Sequence, residues 1–153
     1  MAGGIKVVIT LSAICLLAAC STRSTEAGNT RCSYPDSPNN PAPEFICTPE
    51  IPGFPLTALR SSPKSDAPVS ERIEHVFSDQ IQHWSAQWAM EWYADAERQQ
   101  QAQQFLEQYL ADQARVVRSR VSPNEHLWLL IGLPMPLVEV MAASYAAVPN
   151  ESP

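Results

Sequence analysis

"QARVVRSRVSPNEHLWLLIGLP", residues 113–134, decides the class of fold. Its first half alternates in part, with Arg115, Val117, Ser119 and Val121 on one side and Val116, Arg118 and Arg120 on the other. Its second half, His126 to Leu133, is almost wholly apolar, and Ser122-Pro123-Asn124-Glu125 between them has turn chemistry. A polar run and an apolar run joined by such a turn predict a β-hairpin. The second strand is expected to be the more buried one, at the centre of a sheet.

Upstream the period changes. Val69, Ile73, Phe77, Ile81, Trp84, Trp88 and Trp92 recur at three- and four-residue spacing, the pattern of one helix face. No Pro or Gly stands between Pro68 and Pro123, and the helix is expected to run to about Arg98. "DAERQQQAQQ" fits either a continuation or a turn, before a second face at Ala102, Phe105, Leu106, Tyr109 and Leu110. "FPLTALRSS" reads as a short strand, with Leu56 and Ala58 opposed to Thr57 and Leu59. "PMPLVEVMAASYAAV" reads as a final helix with Leu137, Val138, Met141 and Tyr145 on one face, too short to span a bilayer. Strand, helices, hairpin and helix make an α+β fold: a small antiparallel or mixed sheet of about three strands covered by helices.

Residues 21–44 are polar and Pro-rich, without apolar periodicity, and are expected to be a disordered tether. The domains expected are therefore 1–19, 20–44 and a single α+β domain over 45–153.

The first of these is read as a signal peptide. Lys6 and the amino terminus precede an apolar run from Val7 to about Leu17. At roughly a dozen residues, this run is short of the about 20 a spanning helix needs, and it ends in small residues. The boundary Leu17-Ala18-Ala19-Cys20 resembles the lipobox of bacterial lipoproteins. That resemblance implies cleavage before Cys20, diacylation of its sulfur and acylation of the new amino terminus. The rival is an ordinary secretory peptide that happens to hold a Cys. Several acyl chains anchor far more firmly than one, so outer-membrane lipid is the expected partner of acylated Cys20. Ser21 stands where the inner-membrane retention signal has Asp; the expected address is the outer membrane, facing the periplasm.

Cleavage would remove Cys15, leaving Cys32 and Cys47 as an even pair. In an oxidising compartment such a pair reads as a disulfide. The rival, a zinc pair, lacks close Cys or His partners. The formal charge of −6 becomes about −7 without Lys6, which argues against nucleic acid as a partner.

Two segments carry a family resemblance. "PEFICTPEIPGFPLTALRSS", residues 43–62, and residues 113–134 resemble small outer-membrane lipoproteins typified by a twenty-kilodalton antigenic lipoprotein. Glu125 stands where that family's turn has Gly, and Leu59-Arg60 where its first strand often has Gly. The resemblance implies an envelope component, in some members associated with flagella, and it brings no catalytic residues or cofactor.

Three clusters invite chemistry. Glu71, His75, Asp79 and His83 follow at four-residue steps, so neighbours such as His75 and Asp79 face each other. Successive four-residue steps drift by about 40°, which keeps the outer pair apart and favours a solvated polar face over a metal site. Trp84, Trp88 and Trp92 are either core or an interaction strip for a protein, glycan or peptidoglycan. Arg115, Arg118 and Arg120 are either a solvated edge strand or a small anion-binding face. Neither a nucleophile elbow, a phosphate-binding loop nor a Cys–His pair is legible. The expected function is a non-enzymatic envelope lipoprotein that binds an envelope protein or itself, without metal or cofactor. The alternatives are a small-ligand or cell-wall-binding module and, behind it, a metal-dependent enzyme.

Overall fold

The computed structural model describes residues 31–149, and its architecture is α+β. β1 (Ser33–Tyr34) and β2 (Ser37–Pro41) form a small hairpin, followed by one turn of helix, α1 (Glu44–Cys47). β3 (Leu56–Ser62) precedes α2 (Val69–Trp92) and α3 (Ala96–Gln113); β4 (Arg115–Val121), β5 (Leu127–Leu133) and α4 (Leu137–Ala147) complete the chain. β3, β5 and β4 make an antiparallel sheet in that order, with β5 in the centre.

The seven-residue apolar run is explained by what lies on each side of it. Leu127, Leu129, Ile131 and Leu133 join Leu56 and Ala58 of β3 beneath the helices, in a core with Trp84, Trp88, Leu106 and Leu110. Leu130 is equally buried but faces the opposite way, with Trp128 and Gly132. That face is covered by residues 31–54, a disulfide-closed lobe whose Tyr34 and Ile46 are buried. The sheet is thus the middle of three layers.

This corrects the expected boundary at Phe45. The segment "CSYPDSPNNPAPE" is not tether from Cys32 onward: it pairs as β1–β2, and Ala42 N–H donates to the Cys32 carbonyl. A hairpin only a few residues long and rich in Pro carries no period-two signal, so composition reads it as linker. Residues 20–30 lie outside the described residues.

Helix boundaries were resolved by a cap and a buried tyrosine. α2 ends at Trp92, short of Arg98, because Tyr93 turns extended and buries its ring. Asp95 then caps α3 by accepting from Arg98 N–H at 2.9 Å, and Gln99 Nε2 donates to the Tyr93 carbonyl at 2.7 Å. The stripe on α2 is also rotated at its start. Arg72, Val76 and Gln80 are buried, Ile73 and Phe77 flank the core, and Val69 is exposed. On α4 the buried face is Val140 and Ser144, while Val138 is 61% exposed; Leu137, Met141 and Tyr145 are half-buried. No helix among the described residues is long and apolar enough to cross a membrane.

Candidate functional site

The register of β4 contains one irregularity, between Val116 and Arg118, where Val117 is extra. A bulge of this kind re-aims the side chains beyond it. Before it Val116 pairs with Ile131 on the helix side; after it Arg118 and Arg120 pair with Leu130 and Trp128 on the lobe side. Val117 lies on the lobe side too, since a Cβ built on Gly132 would stand 2.9 Å from its Cγ2. Strict alternation, which opposed Val117 to Arg118, is therefore broken, and Arg118 and Arg120 become a wall facing the disulfide lobe.

Between that wall and the lobe opens a cleft of about 600 Å3. Phe45 and Ile51 supply apolar lining, Arg118 and Arg120 one charge, Glu44 and Glu50 the other. None of the four charged residues is ion-paired to another across it. The volume is within the range of small-ligand sites, roughly 300–1,000 Å3.

The lobe is held in place by two devices. The Cys32–Cys47 disulfide closes a loop of sequence separation 15 with Cα atoms 5.8 Å apart. Asp36, whose side chain is 7% exposed, accepts from Trp128 Nε1 at 2.9 Å and from the Ser122 hydroxyl, while its carbonyl accepts from Asn124 Nδ2 at 2.6 Å. Burial pushes the Asp36 pKa up, but the Ser122 and Trp128 hydrogen bonds and the nearby His126 outweigh it, leaving the carboxyl below its ordinary value of 3.8. The residue types Ser122, Asp36 and His126 look like a nucleophilic triad, yet the order is wrong. The Ser122 hydroxyl donates to Asp36 and accepts from the His126 backbone N–H at 3.2 Å, while His126 Nδ1 is 4.0 Å from Asp36. The imidazole is not between serine and carboxylate, so no base activates the hydroxyl. The cluster fastens the lobe to the hairpin turn.

Trp84 and Trp88 are buried and Trp92 is half-buried, which favours the core reading of the three over the interaction strip. The rings stack successively, Trp84 on Trp88 and Trp88 on Trp92, each with centroids 5.6 Å apart, because four-residue steps place them one above another. Large aromatic area fills the space between helices and sheet. His75 Nε2 lies 3.4 Å from Asp79 Oδ2 on an exposed face, with Glu71 and His83 also exposed. Among the described residues no group of three or more His, Cys, Asp or Glu side chains converges as a metal site. Arg115 donates to the Asp112 carbonyl at 2.6 Å and the Ala114 carbonyl at 2.7 Å, and Arg118 to the Val117 carbonyl at 2.8 Å. Arg115 thus caps carbonyls at the C-terminal end of α3, while Arg118 covers a carbonyl of the edge strand β4, which discourages further pairing there. Cys20 lies outside the described residues.

Sequence reading missed Asp36, the half of the cleft supplied by residues 44–52, and Arg72. Arg72, 7% exposed, donates through Nη2 to the Ser62, Pro63 and Glu125 carbonyls at 3.0, 2.8 and 3.1 Å, tying α2 to the end of β3 and to the hairpin turn. A charged residue at the edge of an apolar stripe gives no sign in sequence that it will turn inward. Comparison of the chain with known family models, curated proteins and solved structures gives no match.

Proposed function

We propose that the protein is a non-enzymatic lipoprotein, anchored in the outer membrane through acylated Cys20, whose domain works in the periplasm by binding another component of the envelope. The observation that carries this reading is Leu17-Ala18-Ala19-Cys20 at the end of the apolar run from Val7. The disulfide supports it, because such bonds persist in oxidising compartments. An assembly role, in an envelope or flagellar structure, rests on the resemblance of residues 43–62 and 113–134 to small outer-membrane lipoproteins alone, no family model or relative having matched. With the Trp strip committed to the core, the open cleft beside β4 offers a contact surface, alongside the exposed Val138 of α4. The cleft also keeps the second reading in view, a module for a small ligand or cell-wall component.

The test is metabolic labelling with palmitate followed by membrane fractionation. Label on the protein and recovery with the outer membrane are expected, both abolished by Cys20→Ala. An unlabelled protein, or a Cys20→Ala variant that still partitions into membrane, overturns the reading. Crosslinked pull-down from intact envelopes then separates protein partners from ligands.

A further inference from the structure

The cleft holds charges of both signs that do not neutralise each other. Arg118 and Arg120 form one wall and Glu44 and Glu50 line the other parts, around the apolar surface of Phe45 and Ile51. All four charged side chains are exposed. Arg120, Glu44 and Glu50 make no side-chain hydrogen bond or ion pair among the described residues, and Arg118 commits one nitrogen to the Val117 carbonyl. The apolar surface of Phe45 and Ile51 between them stays open.

Spacing narrows the occupant. Beyond the bulge Arg118 and Arg120 are two residues apart on the same face of a strand, about 7 Å along it. That is the repeat of alternate side chains in an extended peptide. Addition of a further strand to β4 is disfavoured by the bulge and by Arg118 covering the Val117 carbonyl. Recognition therefore falls to side chains. We propose that this cleft binds a short extended peptide carrying both carboxylate and ammonium groups, its acidic groups on Arg118 and Arg120, its basic group toward Glu44 and Glu50, and its apolar body on Phe45 and Ile51. Charge-assisted pairs on both walls reject a ligand of either single sign, because the unmatched wall repels it.

The inference rests on the binding role proposed above and not on lipidation. Failure of palmitate labelling leaves the titration below unaffected, and failure of the titration leaves the labelling unaffected. The full chain, purified oxidised in detergent, is titrated calorimetrically with four end-blocked peptides sharing a leucine-rich body. One carries acidic and basic residues, one acidic only, one basic only, and one none. The mixed-charge peptide is expected to bind about tenfold or more tightly than each of the others, the worth of one charge-assisted hydrogen bond. Arg118→Gln with Arg120→Gln, and separately Glu44→Gln with Glu50→Gln, should each remove that preference while leaving the melting temperature unchanged. Equal affinity for the uncharged peptide, no binding of any peptide at millimolar concentration, or unchanged affinity in both double variants would overturn the proposal.

Discussion

Trp128 Nε1 donates a 2.9 Å hydrogen bond to Asp36 Oδ1, across 92 residues of sequence. The bond joins the central strand of the sheet to the N-terminal hairpin, and the same carboxylate takes the Ser122 hydroxyl from the turn. One buried anion thus fastens the third layer to the sheet.

Asp36→Ala should lower unfolding stability by about 2–4 kcal/mol, since two charge-assisted bonds are lost and the Trp128 and Ser122 donors are left with no acceptor. Urea titration measures it. The same group sets an acid limit. Its folded pKa lies below the unfolded value near 3.8, so its contribution is fully present above that value and is lost as pH falls through the folded pKa. Stability of the wild type should fall more steeply than that of Asp36→Asn below about pH 4, where the unfolded carboxyl first takes up a proton.

Reduction should loosen the lobe before the rest. Loss of the Cys32–Cys47 link costs about 3 kcal/mol for a loop of this size. With reductant, amide exchange is expected to quicken over residues 33–54 while Leu106, Leu110 and the β5 strand stay protected. Uniform loss of protection would show that the lobe and the helical layer unfold together.

Glu125→Gly should stabilise the protein by about 0.5–1 kcal/mol. Glu125 has φ 63°, a left-handed conformation that costs a residue with a Cβ roughly 1–2 kcal/mol. The ion pair with Lys64 that the change removes is largely exposed and contributes little. Thermal melting decides the sign; a lower melting temperature would mean that the Lys64 pair outweighs the strain.

Gly132→Ala should destabilise by about 1–3 kcal/mol, the usual cost of overpacking. The added Cβ would sit 2.6 Å from Phe54 Cδ1 and 2.9 Å from Val117 Cγ2, where the lobe and the bulge close on the central strand. Restoring space with Phe54→Leu in the double variant should recover part of the loss.

The hairpin over residues 113–134 was legible because its two halves differ in burial: β4 is an edge and β5 is covered twice. The Trp stripe on α2 was visible because four-residue spacing brings apolar rings to one face whatever the partner. What the face packs against, and therefore whether Trp84, Trp88 and Trp92 were core or contact, required the sheet. Glu125 was singled out in sequence as the residue in place of a turn glycine, and the backbone at that position is indeed left-handed. The cleft was half visible. Arg118 and Arg120 stood out, but alternation alone put Val117 on the opposite side, and a bulge leaves no mark in composition.

Local sequence by itself determined the helical faces, the hairpin and the pairable cysteines, because periodicity and turn chemistry act between near neighbours. Tertiary structure alone decided that residues 33–54 are a third layer and not a tether, and that Asp36 and Arg72 are buried fasteners. It also decided that two arginines of an edge strand face two glutamates of the disulfide lobe. Those relationships depend on contacts between segments distant in the chain, where register, a single bulge and the need to satisfy buried polar groups outweigh local preference.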